Sequence, residues 1–412
     1  MRCGLLGQSL THSYSPEIHE ALGRGYSYAL FEVEPENVEA FLKSDTWDGL
    51  NVTIPYKQAV IPFCDTLSET AAAIGSINTL IRNPDGSIHG DNTDAAGFET
   101  MLRRSGIAVR GKKVLILGSG GSSLTVRHVL RESDAGEIIT ISRRGKHTYE
   151  TIAQHTDADI IVNTTPVGMY PHVGESPVDL AQFPHLTGVL DLIYNPARTR
   201  LLMDAEARGI PHINGLSALV GQAARAAERF SGQHISPERE DEVISLLRRK
   251  MENLILVGMP GCGKTTIGTL LAKLLDRPLM DTDIEIEQTA GMTIPEIFEQ
   301  EGEAKFRLRE TEALARWGKE SGLVIATGGG AVTREGNYPH LYQNGTLIFL
   351  ERPLELLDRK GRPLSQGDLQ AMYENRLPKY RRFADWTEYN ESTIEAVANS
   401  ALEAFYETLR EA

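Results

Sequence analysis

Leu254-Ile255-Leu256-Val257-Gly258-Met259-Pro260-Gly261-Cys262-Gly263-Lys264-Thr265-Thr266 sets the architecture of the C-terminal part of this chain. Four apolar residues read as a buried strand, a glycine-rich turn follows, and the run from Ile267 to Leu275 has the apolar spacing of a helix. Gly258 to Thr265 fits the phosphate-binding loop (P-loop) pattern at every fixed position. Successive backbone N–H groups wrap a polyphosphate only where no side chain blocks their approach, which is the physical use of the glycines. Lys264 adds a point charge and Thr265 a hydroxyl suited to magnesium, so Gly258, Pro260, Gly261, Cys262, Gly263, Lys264, Thr265 and Thr266 form a candidate ATP cradle. The plainer alternative is a strand–helix turn that binds nothing.

The segment in front of this loop is long enough to be an enzyme in itself. The chain has 412 residues, 41% of them hydrophobic and 24% charged, as expected of a soluble globular protein with more than one core. No apolar run approaches the roughly 20 residues of a membrane span. Met1 to Gly7 reads as a first strand rather than a secretory leader, so a cytoplasmic protein is expected. A net charge of -14 argues against non-specific binding to nucleic acid or to anionic membranes. Small anions need only a few arginines in a cleft, and Arg307, Arg309, Arg359, Arg362, Arg376, Arg381 and Arg382 lie near the other C-terminal motifs. Cys3, Cys64 and Cys262 have neither paired nor metal-type spacing and read as reduced thiols. Small-molecule substrates are the expected partners, for a monomer or a homodimer.

Three α/β regions follow from the alternation of β-like and helix-like runs. Residues 1–102 form the first, completed by helix from about 215–230; residues 103–230 form the second; residues 231–252 are polar and read as a linker; residues 253–412 carry the P-loop. The second region opens on the strand Lys113 to Leu117 and the turn Gly118-Ser119-Gly120-Gly121-Ser122, a shortened Rossmann-type turn that rests a pyrophosphate on a helix N-terminus. The next strand ends in Ser142-Arg143-Arg144 rather than in a carboxylate, which favours a 2'-phosphate and hence NADP over NAD. A surface basic cluster is the alternative.

In the first region, His12-Ser13-Tyr14-Ser15-Pro16 sets two hydroxyls before a helix, where both meet a polyhydroxylated ligand or Ser15 merely caps the helix. Lys57, past the strand-end Asn51-Val52-Thr53, and Asp94, closing Gly90-Asp91-Asn92-Thr93-Asp94, form a proton-transfer pair if the fold brings them together. Solvated surface charge is the alternative for each.

These residues, with Ile74-Gly-Ser-Ile-Asn78-Thr, Asn163-x-Thr-Pro-x-Gly-Met169, Asp191-x-x-Tyr194-x-Pro196 and Gly215-Leu-x-x-Leu-Val-x-Gln222-Ala, come in an order that resembles shikimate dehydrogenase from end to end. The resemblance implies an α/β substrate domain beside a Rossmann domain, and NADP-linked reduction of 3-dehydroshikimate to shikimate. It implies that Ser13, Ser15, Thr53, Asn78, Asp94, Tyr194 and Gln222 hold the substrate, with Lys57 and Asp94 as the catalytic pair. It places NADP(H) on Gly118, Ser119, Gly120, Gly121, Ser122, Arg143, Arg144 and Gly215. Ser142-Arg-Arg departs from the family's Asn-Arg-Thr type of clasp, and His147 stands where a second basic residue is frequent.

Downstream of the P-loop, Asp281-Thr-Asp283, Phe306-Arg307-x-x-Glu310, Gly328-Gly329-Gly330, Arg362-Pro-Leu364 and Arg376-x-Pro-x-Tyr380 resemble shikimate kinase over its full length. That implies a parallel sheet flanked by helices and transfer of phosphate from ATP to the shikimate 3-hydroxyl. Asp283 would bind the acceptor hydroxyl and act as its base, Lys264 would bridge phosphates, and Arg362 on a lid segment would stabilise the charge in transfer. Thr265 and Asp281 would organise Mg2+, and Asp283, Arg307, Gly329, Gly330 and Arg376 would hold shikimate. The two halves together read as a bifunctional enzyme of chorismate and aromatic amino-acid biosynthesis. Two alternatives stay open: a sensor of shikimate or quinate that turns nothing over, and a dehydrogenase half that prefers quinate or NAD.

Overall fold

The computed structural model describes residues 1–10, 13–357 and 369–411. The chain folds into two compact units. The first comprises Met1–Val167, Ser176–Tyr194 and Asp204–Ile244; the second comprises Gly168–Glu175, Asn195–Met203 and Ser245–Ala412.

The first unit contains two sheets. One is built from β1 (Arg2–Gly7), β2 (Ser27–Glu32), β3 (Gly49–Val52), β4 (Thr66–Leu67), β5 (Thr79–Arg82) and β6 (Ile88–Asp91), in the order β2-β1-β3-β5-β6-β4. Only β5 runs against its neighbours. Apolar residues at successive positions of β1 and β3 are buried on both faces, as expected of strands covered by other elements on each side. The helices here are α1 (Ser15–Leu22), α2 (Val38–Lys43), α3 (Glu69–Ile74) and α4 (Asp94–Ser105). Trp47, Leu50, Leu80 and Ile77, all fully buried, centre the core of this sheet.

The second sheet takes β7 (Lys113–Leu117), β8 (Glu137–Ile141), β9 (Ile160–Asn163), β10 (Gly188–Asp191) and β11 (His212–Ile213) in the order β11-β10-β9-β7-β8, every pair parallel. The chain leaves β7 on one side for β8 and returns on the other as β9, so a topological switch point lies at the carboxyl ends of β7 and β9. Helices α5 (Gly121–Glu132), α6 (Arg200–Ala207) and α7 (Leu216–Ser231) follow in chain order. α7 returns to the first sheet: Ala226 and Phe230 pack with Cys3, and a side chain at Gly97 of α4 would meet the carbonyl of Ala218.

The second unit has one all-parallel sheet of β12 (Asn253–Val257), β13 (Leu279–Asp281), β14 (Val324–Ala326), β15 (Gly345–Glu351) and β16 (Trp386–Tyr389), ordered β13-β14-β12-β15-β16. The P-loop strand β12 is central and wholly buried. The remaining helices are α8 (Pro237–Met251), α9 (Lys264–Leu275), α10 (Thr282–Ala290), α11 (Ile294–Gly318), α12 (Tyr338–Tyr342), α13 (Leu369–Phe383) and α14 (Ile394–Glu411).

Two findings differ from the sequence expectation. The segment 231–252, read as a polar linker, holds the 15-residue helix α8, and the division between units falls inside it. Val243, Ile244, Leu247 and Met251 recur on one face of α8 and are buried, a stripe hidden among charged neighbours. Residues 168–175 and 195–203 belong with the second unit rather than with the Rossmann-type sheet. The Ala197 N–H donates to Asn344 Oδ1 at 2.7 Å, and Arg198 forms an ion pair with Glu252 at 2.9 Å. Among the described residues no helix is long and apolar enough to cross a membrane.

Candidate active sites

In the first unit, Lys57 follows the end of β3 and Asp94 opens α4, and their side chains meet: Lys57 Nζ lies 2.5 Å from Asp94 Oδ2. Both are about one quarter exposed (24% and 25%), so the pair is open to a ligand while shielded enough to hold its geometry. Asn78, the residue before β5, donates to Asp94 Oδ1 at 2.9 Å, to Thr93 Oγ1 at 3.0 Å and to Gln222 Oε1 at 3.3 Å. The side-chain oxygen of Asn78, Oδ1, accepts the Thr93 N–H at 2.7 Å. Asp94 is thereby gripped from two sides, and Gln222 of α7 is drawn to the same cluster. A lysine and a carboxylate in this contact can pass a proton to and from a substrate oxygen.

Ser13 and Ser15 precede and open α1. Ser15 does not cap the helix, because it lies in the first turn, and its N–H donates to Ser13 Oγ at 3.2 Å. Tyr14 meets Tyr194 edge to face with ring centroids 6.3 Å apart, which puts Tyr194 beside the serines. Burial raises the Tyr194 hydroxyl above its ordinary pKa, so it stays a neutral donor. Thr53 is half-buried just past β3, its N–H donating to the Leu6 carbonyl. His19, to which the sequence gives no pointer, is buried and stacks on Tyr28 at 3.9 Å; burial lowers its pKa to about 3, so it remains neutral. Tyr28 in turn donates to Asn51 Oδ1 at 2.8 Å. Thr93 is a further member of the cluster, its hydroxyl lying between Asn78 and Thr79; only its place in the Gly90–Asp94 loop signals it in the sequence.

At the switch point of the second sheet, Gly118 has φ +105, and a side chain there would come within 2.8 Å of Thr164 Oγ1. Gly120 is the N-cap of α5 and no side chain caps that end, so the N–H groups after it face an exposed turn of Ser119, Gly120, Gly121 and Ser122. Arg143 and Arg144 are exposed beyond β8, in a turn closed by the Ser142 N–H on the His147 carbonyl at 3.1 Å. His155 Nε2 and His147 Nδ1 are 2.9 Å apart. Gly215, the N-cap of α7, packs against the Leu192 carbonyl, where any side chain would collide. An uncapped helix N-terminus with guanidinium groups beyond the next strand fits a dinucleotide bearing an extra phosphate.

In the second unit, Gly258, Gly261 and Gly263 all take positive φ (+153, +80 and +100), and Lys264 Nζ donates to the carbonyls of Gly258 and Met259 at 2.9 and 3.0 Å. Thr265 Oγ1 donates to Asp281 Oδ2 at 2.6 Å, while Asp281 Oδ1 caps α10 through the N–H groups of Asp283 and Ile284. A hydroxyl beside a carboxylate oxygen is a hard-oxygen donor set of the kind that suits Mg2+ bound chiefly through phosphates and water.

Gly328, Gly329 and Gly330 thread between the remaining groups. A side chain at Gly328 would come within 2.6 Å of Asp283 Oδ1 and 2.7 Å of Glu310 Oε1; at Gly329 within 2.6 Å of Pro260; at Gly330 onto the Arg307 guanidinium. Arg376 and Tyr380 donate to the Gly329 carbonyl at 3.0 and 2.6 Å. Arg307 donates to Glu310 Oε2 at 2.9 Å, and Glu310 is fully buried with no hydrogen-bond partner for Oε1 among the described residues. Burial raises the pKa of Glu310 against the pull of Arg307. Asp283 is pushed up to about 6 by burial and then by the charge of Glu310, with Lys264 opposing. A carboxylate poised there can accept a hydroxyl proton near neutrality. Arg359 and Arg362, and also His12, lie outside the described residues.

The shikimate dehydrogenase substrate binding domain model matches residues 5–80, and the shikimate kinase model matches residues 260–411. The NADP(+) shikimate dehydrogenase of Clostridium beijerinckii is 37% identical over 244 residues, covering 55% of this chain and 90% of that protein. The chain belongs to the shikimate dehydrogenase family. Its second half is a shikimate kinase domain fused to that dehydrogenase. Among solved structures, a chorismate mutase/shikimate 5-dehydrogenase fusion protein from Clostridium acetobutylicum superimposes with a TM-score of 0.58 at 36% identity, over 60% of this chain and 97% of that one. The shikimate 5-dehydrogenase of Thermus thermophilus, in complex with NADP(H) and shikimate, gives 0.54 at 31% identity, over 59% of this chain and 98% of that one. In the dehydrogenase half, Lys57, Asn78, Asp94 and Gln222 form one cluster, with Ser13, Ser15 and Tyr194 grouped around Tyr14. In the kinase domain, Lys264, Asp281, Asp283, Arg307 and Arg376 surround the P-loop and the Gly328–Gly330 turn.

Proposed function

We propose that this chain catalyses two consecutive steps: NADP-dependent reduction of 3-dehydroshikimate to shikimate, and ATP-dependent phosphorylation of the shikimate 3-hydroxyl. The observation that carries the reading is the intact polar machinery of each half, the Lys57–Asp94 contact in one and the Asp283–Glu310–Arg307 cluster beside the P-loop in the other. In the first step the bound dinucleotide supplies the hydride. Lys57 donates a proton to the C3 oxygen as the carbonyl becomes a hydroxyl, and Asp94, held by Asn78, orients Lys57 and restores its proton from solvent. Ser13, Ser15, Thr53, Tyr194 and Gln222 offer hydroxyl and amide groups to the ring oxygens and the carboxylate. Gly118 to Ser122, with Arg143, Arg144 and Gly215, hold NADP(H).

In the second step Asp283 orients the new hydroxyl and takes its proton, and Arg307 and Arg376 clamp the shikimate carboxylate, a task that suits the planar guanidinium. Lys264 turns from the loop carbonyls to the phosphates of ATP, which rest on residues 258–266. Thr265 and Asp281 are the residues that would hold Mg2+, which would supply positive charge against the phosphates of ATP. Both steps act on one oxygen of one substrate, in a cytoplasmic enzyme of aromatic biosynthesis. The test is to incubate the full-length protein with 3-dehydroshikimate, NADPH, ATP and magnesium and to identify the products by mass spectrometry. Shikimate 3-phosphate formed only when all four are present supports the reading; ligand binding with no product contradicts it.

A further inference from the structure

The sheet order of the kinase domain assigns a place to a part of ATP that none of the groups above touches. Asp281, Asp283 and Gly328–Gly330 follow β13 and β14, on one side of the P-loop strand β12, and β15 and β16 lie on its other side. In-line transfer sets the leaving nucleotide opposite the acceptor hydroxyl across the γ-phosphate. With the acceptor beside Asp283, the nucleoside therefore extends over the carboxyl ends of β15 and β16.

Arg352 is the first residue after β15, and Asn390 the first after β16. Asn390 Nδ2 donates to the Cys262 carbonyl at 2.6 Å, and its N–H donates to the Glu351 carbonyl at 2.8 Å, tying both strand ends to the P-loop. A methyl group at Gly263 would stand 2.9 Å from Asn390 Nδ2 and 3.8 Å from Arg352 Nη1, so the guanidinium adjoins the phosphate cradle. Arg352 Nε is shielded from solvent and has no hydrogen-bond partner among the described residues. A shielded donor without an acceptor costs stability, and folding gains nothing from placing one there.

We propose that Arg352 is a nucleotide-recognition residue of the kinase half, its guanidinium binding the nucleoside end of ATP while Asn390 fixes the strand end behind it. The planar group stacks on a purine and donates from its edge to ribose or base acceptors, neither of which a lysine ammonium reproduces. This rests on the reading of the second unit as an ATP-dependent kinase.

The test compares two competitive inhibitors of the full-length protein, ADP and inorganic tripolyphosphate, in the wild type and in Arg352→Met. ADP should bind about tenfold more weakly to the variant, with KM for ATP rising in parallel, the scale of one charge-assisted hydrogen bond. Tripolyphosphate inhibition and KM for shikimate should change less than about twofold. Arg352→Lys should recover little of the ADP affinity. Equal weakening of ADP and tripolyphosphate would place the contact on phosphate and overturn the assignment, as would no change in either. Should Arg352→Met lower the unfolding temperature, Arg352→Gln takes its place in the same comparison. A wild type that binds ADP but phosphorylates nothing would defeat the kinase reading alone, because ADP and tripolyphosphate binding can then be compared by calorimetry.

Discussion

Lys57 and Asp94 are thirty-seven positions apart in the chain and 2.5 Å apart in space, which the sequence alone could not show. Their residue types and turn positions were legible; their meeting depends on antiparallel pairing of β5 with β3 and β6, which brings the two loops to one end of the sheet. Replacing Lys57 with Ala should lower dehydrogenase kcat/KM by about 10²- to 10⁴-fold, the range of a lost general acid, and leave NADPH affinity near that of the wild type. Asp283 gives a second prediction. Its pKa is raised to about 6, so the base form is present above that pH and is lost below it. Kinase kcat/KM for shikimate should therefore be level near pH ~7.5 and fall about tenfold per unit below pH ~6. Asp283→Asn should abolish that acid limb together with most of the rate; a limb that persists unshifted in the variant would assign it to another group.

At the scale of elements, the strands and helices that begin or end at glycine were the most readable, because a positive φ and a close approach both leave a mark in the sequence. β12 and α9 around Gly258–Gly263, and β7 and α5 around Gly118–Gly121, are of this kind. Helix α8 is hard to read for the opposite reason: its charged residues outnumber the buried stripe of Val243, Ile244, Leu247 and Met251. The capping role open to Ser15 fails because Tyr14 is the N-cap and Ser15 already the first helical residue. The Gly328–Gly330 turn yields a prediction that joins binding to folding. A methyl group at Gly330 would strike the Arg307 guanidinium and turn it from the fully buried Glu310, so Gly330→Ala should unfold at a lower temperature than the wild type, the buried carboxylate having lost its partner. Kinase KM for shikimate should rise at least about tenfold as Arg307 is turned from its place beside Glu310, the scale of a lost charged contact. A variant with unchanged KM would remove Arg307 from the site.

For the whole molecule, two compact units each carry their own strand-end site, and a helix rather than an extended linker spans the division between them. Covalent fusion sets the two activities at equal amounts, and it fixes proximity without requiring transfer through a channel. Added unlabelled shikimate should accordingly dilute labelled intermediate made from 3-dehydroshikimate, as free mixing predicts; labelled product that resists dilution would show direct transfer. On the proposed function, two independent active sites act in sequence on one substrate. The decisive experiment follows NADPH loss and shikimate 3-phosphate formation together in Lys57→Ala and Lys264→Ala. Lys57→Ala should stop reduction yet phosphorylate added shikimate at the wild-type rate, and Lys264→Ala should reduce 3-dehydroshikimate normally and accumulate shikimate. Loss of both activities in either well-folded variant would contradict the proposed function.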